Sequence, residues 1–204
     1  MSPLAARMAF AAAAYLLGSF PTGYLVVKAG SRRDIRSLGS GATGATNVLR
    51  VGGWKPALFV ALVDILKGAL PAVLAMRLFG EPGFAAQAAS LAVLGHCFPI
   101  TLGFRGGKGV ATAAGAMAAL APWPAVASLA VFALTIAVTR FVSLGSLLAA
   151  AAFPALARLL GAPPETSAWS MAVVLIIVLR HVGNIRRLIQ GHEPKLGARQ
   201  GGTP

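Results

Sequence analysis

PALFVALVDILKGALPAVLAMRL, Pro56–Leu78, runs for 23 residues and carries only three charges, Asp64, Lys67 and Arg77. A helix rises about 1.5 Å per residue, so this run crosses the roughly 30 Å hydrocarbon layer of a bilayer. Similar runs lie on both sides of it. Leu4–Val27 precedes it; Phe84–Leu102, Val110–Ala121, Ala125–Thr139 and Leu144–Leu160 follow, and a last run starts near Ala168. The reading is an all-α, polytopic membrane protein of about seven transmembrane helices, with Val110–Ala121 short for a span. Pro21 is expected to kink or end the first helix, and Pro122 with Pro124 to end the fourth. Leu4–Val27 leads into polar sequence without a small-residue cleavage pattern, which predicts a retained helix and not a cleaved signal.

Composition agrees. Of 204 residues 57% are hydrophobic and 11% charged, with a mean hydropathy of +0.76; a soluble domain carries about 25% charged residues. One domain is expected over residues 1–204, without internal repeats, ending in a polar, glycine-rich tail at about 191–204. The net charge of +13 sits at the ends of apolar runs, which points to lipid head groups or phosphorylated substrates and away from nucleic acid. Cys97 is the one cysteine, so an intrachain disulfide is excluded, and it reads as a small buried apolar residue.

If the connections alternate sides, one side receives Lys28, Arg32, Arg33, Arg36, Arg50, Lys55, Arg105, Lys108, Arg140 and the basic C-terminal segment. The other receives Arg7, Arg77 and Arg158. Basic loops face the cytoplasm, so the N-terminus is expected outside, the C-terminus inside, and the polar motifs together on the cytoplasmic face.

Immediately before Pro56–Leu78 lies RSLGSGATGATNVLR, Arg36–Arg50. Gly39, Gly41 and Gly44 let the backbone turn and approach a ligand. Ser40, Thr43, Thr46 and Asn47 supply hydroxyl and amide groups, and Arg36 and Arg50 supply fixed charge at the ends. Such a loop suits a phosphate, although a solvated basic connector also accounts for its charges. It matches G-x-G-x-x-G, but no strand precedes it, which excludes a dinucleotide site. A second loop reads Arg105-Gly106-Gly107-Lys108-Gly109. Leu102 and Gly109 occupy the first-glycine and Ser/Thr positions of a P-loop, so it is not one. What remains is a run of N–H groups with two cations opening a helix, a second anion site.

The third cluster is Arg180, His181, Asn184, Arg186 and Arg187. His181 and Asn184, three apart, share a face of any helix they occupy, as candidates for acid, base or substrate ligand. His96 reads as a structural histidine. Asp64 and Lys67, one turn apart in the membrane, are either a structural ion pair or a functional one.

GSFPTGYL, DIRSLGSGATGATNVLR, GHCFPITLGFRGGKGVAT and RHVGNIRRLIQGHEPKLG together resemble the bacterial acyl-phosphate-dependent glycerol-3-phosphate acyltransferases of the inner membrane, over Gly18 to about Gly197. The resemblance implies seven helices around a cytoplasmic groove, and the first step of phospholipid synthesis. An acyl group would pass from acyl phosphate to the sn-1 hydroxyl of glycerol 3-phosphate, giving lysophosphatidic acid and phosphate. It implies Ser40, Asn47 and Arg50 near the substrates, with Gly39, Gly41 and Thr46 of the same loop. It makes Gly106, Gly107 and Gly109 the acyl-phosphate cradle, with Lys108 over the phosphate and Arg105 beside it, and adds His181, Asn184 and Glu193. Ser40, Lys108, His181 and Asn184 are the expected catalytic set. Ala42 departs from the asparagine expected after GSG in this family, so a direct contact is not expected there.

Competing chemistries lack their residues. H-x-x-x-x-D is absent, since Thr101, Arg186 and Gly197 stand five after the three histidines. Five acidic residues do not make a metal-holding carboxylate cluster, no Cys/His set suggests zinc, and no serine sits in a nucleophile elbow. Neither metal nor cofactor is expected, and the protein is expected to act as a monomer among membrane lipids. The rivals are a small anion transporter or channel, which calls for polar residues at mid-membrane along several helices, and a non-enzymatic assembly factor. Of His181 and a substrate phosphate as proton acceptor, the phosphate is favoured, with His181 orienting glycerol 3-phosphate, because no carboxylate stands at a spacing that would fix the tautomer of His181.

Overall fold

Ten α-helices and two 3-10 turns make up the regular structure of the described residues, 2–197 of a computed structural model, and none of these residues lies in a strand. Among them, five helical segments are long and apolar enough to cross a membrane. They are Pro3–Ser31, Trp54–Phe79, Pro82–Leu102, Pro122–Thr139 and Val142–Leu159. A sixth is made if Pro164–Arg180 and Val182–Ile189, bent by 60°, count as one broken span, and Val110–Leu120 is a shorter apolar helix.

Local chemistry sets the boundaries. Ser2 caps α1 (Pro3–Gly18), its hydroxyl accepting from the Ala5 N–H at 3.2 Å. The first span breaks at Ser19–Pro21, as Pro21 predicts, before α2 (Thr22–Ser31). Lys67 Nζ reaches the Phe20 carbonyl at this break (3.1 Å) and Asp64 Oδ1 at 2.8 Å. The pair is buried, so its lysine joins the broken span to the next helix. A short helix, α3 (Ala45–Gly52), occupies the end of the stretch read above as a loop; it turns at Gly53 into α4 (Trp54–Phe79). Its Val48 is buried with Ile35, Val27 and Val60, and Leu38, Ala45 and Val51 pack against them, so a few apolar side chains anchor a largely polar segment.

α5 (Pro82–Cys97) is the central helix, and it ends earlier than the apolar run does, at Cys97. Its Ala85, Ala88, Ala89 and Ala92 are at most 1% exposed. Small residues inside and large ones outside are the membrane pattern, since close backbone approach holds helices together where lipid is as apolar as leucine. α6 (Val110–Leu120) follows. It ends at Leu120, as the proline pair predicts, because a residue before proline is kept out of the helical region and Ala121 has φ −151°; both prolines then lie in the first turn of α7 (Pro122–Thr139). Proline lacks only an N–H that the first turn leaves unpaired anyway. α7 turns Trp123, Leu134 and Val138 outward, each over 60% exposed, which makes it a lipid-facing helix. α8 (Val142–Leu159) and α9 (Pro164–Arg180) complete the bundle. Phe153, Val173 and Ile177 pack with Val93, Cys97 and Met117 in the largest core cluster, and Cys97 is buried as predicted. At His181 the chain bends into α10 (Val182–Ile189). Of the tail, residues 198–204 lie outside the described residues.

Candidate active site

Three polar segments converge on one cavity. The first is shaped by Asn47, buried in α3. Its Oδ1 accepts the Ser40 N–H (2.9 Å), and its Nδ2 donates to the carbonyls of Leu38 (3.0 Å) and Ala42 (2.8 Å). The amide is thus fully engaged in bending the loop, and Asn47 acts by presenting Ser40. Gly39 is required there: its φ is +56°, and a Cβ would stand 2.2 Å from Asn47 Oδ1. Among the described residues the Ser40 hydroxyl and the Arg50 guanidinium make no hydrogen bond or ion pair. Arg36, expected to clamp a ligand, instead grips Asp34 (Nη2–Oδ2 2.7 Å) and the Leu102 carbonyl (3.2 Å), tying the first loop to the second.

The second loop departs from the nest expected of it. The Gly106 and Gly107 N–H groups donate back to the carbonyls of Cys97 (3.3 Å) and His96 (3.0 Å), so neither is free for an anion. Both glycines are needed for close approach: a Cβ on Gly106 would lie 2.2 Å from the His96 carbonyl, and one on Gly107 2.0 Å from His96 Nε2. Arg180 holds the other edge, donating to the Gly107 carbonyl (Nε, 3.0 Å) and the Gly106 carbonyl (Nη2, 2.9 Å). Lys108 follows, and its Nζ donates to Asn184 Oδ1 at 2.6 Å. Burial lowers the Lys108 pKa to about 8; nearby Glu193 opposes this, while Arg187, Arg50 and Arg180 add to it.

The third segment surrounds the bend between α9 and α10. His181 is buried, and its Nδ1 lies 2.8 Å from the Ile177 carbonyl. A carbonyl only accepts, so Nδ1 carries the proton and Nε2 keeps its lone pair. A backbone group therefore sets the tautomer, in place of a carboxylate. Asn184 Nδ2 donates to Glu193 Oε1 (2.6 Å) and Arg187 Nε to Glu193 Oε2 (2.8 Å). Burial raises the Glu193 pKa, but hydrogen bonds from Asn184 and Arg187 and the charge of Arg187 outweigh it and hold the carboxyl below its ordinary value.

The cavity has a volume of about 600 Å³. Its polar part holds Ser40, Thr46, Arg50 and Lys108, joined by Asn47 and Gly109 and by His181, Asn184 and Glu193. Gly39, Gly41, Arg105, Gly106 and Gly107 do not line it: Arg105 is exposed, and the glycines shape the loops behind it. From Lys108 the cavity runs along α6 as far as Pro122, walled by Ala113 and Met117, by Leu129 and Phe132 of α7, and by Ala150 of α8. A helix of eleven residues measures about 16 Å, so the arm is long, and its walls are apolar. Asp64 and His96, not assigned to the site from sequence, also reach the cavity wall. His96 Nδ1 is 3.7 Å from Asp64 Oδ1, so three polar groups rather than two lie deep in the bundle. Among the described residues no three His, Cys, Asp or Glu side chains are grouped to hold a metal ion.

Known proteins resemble this chain in sequence and in fold. The family model for glycerol-3-phosphate acyltransferase matches residues 8–191. A protein of that name from Jannaschia sp. (strain CCS1) is 49% identical over 186 residues, 90% of each chain. Another from Syntrophotalea carbinolica is 45% identical, covering 91% of this chain and 95% of its own. A crystal structure of PlsY (YgiH), an integral membrane glycerol 3-phosphate acyltransferase in its glycerol 3-phosphate form, superposes with a TM-score of 0.90 at 36% identity, covering 94% of this chain and 96% of that one. Its lysophosphatidic acid form gives a TM-score of 0.87 at 35% identity over the same shares. The chain belongs to the glycerol-3-phosphate acyltransferase family of integral membrane proteins.

Proposed function

We propose that this protein transfers an acyl group from acyl phosphate to the sn-1 hydroxyl of glycerol 3-phosphate, releasing lysophosphatidic acid and inorganic phosphate. One observation carries the reading: a single cavity joins Arg50, unpaired among the described residues, and a half-buried Lys108 to an apolar arm along α6. That combination suits a phosphate-bearing acyl chain meeting a second phosphate. The apolar arm also weighs against an anion transporter, whose pathway needs polar groups along its length.

An acyl phosphate is a mixed anhydride and already activated, so positioning and charge stabilisation supply most of the catalysis. In the proposed step the hydroxyl oxygen attacks the acyl carbon, the bond from that carbon to the phosphate oxygen breaks, and the proton passes to a phosphate oxygen. Lys108 stabilises the departing phosphate, with Asn184 and Glu193 holding its ammonium in place. Arg50 and Ser40 receive the phosphate of glycerol 3-phosphate. His181 Nε2 accepts a hydrogen bond from the attacking hydroxyl and orients it. The deciding experiment incubates purified protein with palmitoyl phosphate and glycerol 3-phosphate and looks for lysophosphatidic acid. Product from palmitoyl-CoA but not from palmitoyl phosphate would sink the donor assignment.

The proton route gives a prediction. His181→Gln keeps a hydrogen-bonding group but cannot titrate, so it is expected to raise KM for glycerol 3-phosphate and lower kcat modestly. The acid limb of the pH–rate profile should stay in place, because phosphate titrates near 6. A collapse of kcat together with loss of that limb would make His181 the base.

The charge distribution supports a topology of seven membrane segments, N-terminus outside, with the cavity mouth facing the cytoplasm. Single cysteines at Ser31 and Arg105 should resist an impermeant thiol reagent added to intact cells. One at Ala162, between α8 and α9, should react. Buried Cys97 gives no background. Labelling at Ser31 or Arg105 from outside overturns the orientation.

A further inference from the structure

We propose that Arg180 is a positioning residue for acyl transfer: by gripping the carbonyls of Gly106 and Gly107 it fixes the turn that delivers Lys108 into the cavity. This rests on the proposed acyl-phosphate reading and adds to it a residue outside the cavity lining.

The turn has no polar backbone group left over at its two glycines. Their N–H groups are tied to α5 through the carbonyls of His96 and Cys97, and their carbonyls are tied to α9 through Arg180 at 2.9 and 3.0 Å. A planar guanidinium meets two adjacent carbonyls at once, which an ammonium on a flexible stem does not. Arg180 is itself steadied by an aromatic ring, its guanidinium lying 5.2 Å from the centroid of the Phe98 ring. Among the described residues it has no carboxylate partner, so the glycine carbonyls are its counter-dipoles.

The geometry explains why α9 and the second loop act as one unit. Arg180 holds the residues before Lys108, while Asn184, beyond the 60° bend, takes the Lys108 ammonium at 2.6 Å. The lysine is thereby fixed at its backbone and at its tip by two residues four apart in sequence. Since the glycine N–H groups face away from the anion site, placement of this one cation matters more than it would in a backbone nest.

The test compares wild type with Arg180→Lys, which keeps the charge and loses the two-pronged grip. KM for palmitoyl phosphate and the inhibition constant for inorganic phosphate are each expected to rise about tenfold, the scale of one charge-assisted contact. KM for glycerol 3-phosphate should stay as it was. A fall in thermal stability with both phosphate constants unmoved would mean a purely structural arginine and overturn the proposal. If Arg180→Lys does not fold, Phe98→Leu removes the stacking plane while keeping an apolar side chain against the core. It should shift the same two constants in the same direction, and unshifted constants again overturn the proposal. A wild type that makes no lysophosphatidic acid from palmitoyl phosphate defeats the donor reading and this inference with it. An active wild type with an unshifted variant defeats the inference alone.

Discussion

Lys108→Met is expected to lower kcat/KM for acyl phosphate by roughly tenfold to a hundredfold, while the protein stays folded and membrane-inserted. Removing a charge-assisted contact to phosphate costs about 1.5–3 kcal/mol, and that range converts to this loss if the contact is made in the transition state. The fold should tolerate the change: Lys108 lies in a loop, and its one side-chain hydrogen bond among the described residues goes to Asn184, whose Nδ2 keeps Glu193. The Lys108 pKa is about 8, so the free enzyme loses its phosphate-binding cation as pH rises through that value. Affinity for inorganic phosphate should therefore fall on the alkaline side. Lys108→Arg, which stays charged, should move that fall to higher pH even where turnover suffers. Unchanged activity in Lys108→Met would reduce the loop to a marker of topology.

The second large effect is on stability. A Cβ on Gly68 would stand 1.9 Å from the Thr112 carbonyl oxygen, and one on Gly115 2.0 Å from that of Ile65. The contacts are reciprocal, so α4 and α6 touch backbone to backbone over one helical turn. Carbonyl oxygens in helices do not swing aside as side chains do, and relief requires the helices to part. Gly68→Ala should cost about 1–3 kcal/mol, the usual scale of overpacking, and Gly68→Leu should prevent stable assembly. Thermal unfolding in detergent measures both. Gly30→Ala is the control, because a Cβ there meets nothing within 4 Å. Activity should fall with Gly68→Leu even in any protein that survives, since Ile65 of α4 and Ala113 of α6 are facing walls of the cavity. Equal melting of Gly68→Leu and Gly30→Ala would refute the contact.

Much of this protein is legible along the chain. A run as apolar as Pro56–Leu78 has one low-energy arrangement in lipid, a helix with its backbone groups paired internally, so all-helical architecture follows from composition and length. Pro21 marks a break because its missing N–H acts within the local chain. The candidate residues came from residue type in the polar loops together with the family resemblance, which alone supplied Glu193, and Ser40, Thr46, Asn47, Arg50, Lys108, Gly109, His181, Asn184 and Glu193 meet at one cavity.

Other features exist only once the helices are packed. The prolines Pro122 and Pro124 are compatible with either side of a helix boundary, and only the course of the chain at Ala121 shows that they begin α7. A glycine before a lysine reads equally as an anion nest or as room for a neighbour; His96 against Gly107 decides for the second. The partner of His181 Nδ1 is the Ile177 carbonyl, one turn back, and a backbone acceptor leaves no signature in side-chain spacing. Hydropathy, helix formation and the break at Pro21 are properties of a few neighbouring residues, and for these the sequence alone was sufficient. Which N–H groups turn inward, which carbonyls an arginine grips and where two backbones touch depend on residues far apart in the chain, such as Gly107 with Arg180 and Gly68 with Thr112. Those were decided by the tertiary structure, because only packing brings such groups within reach.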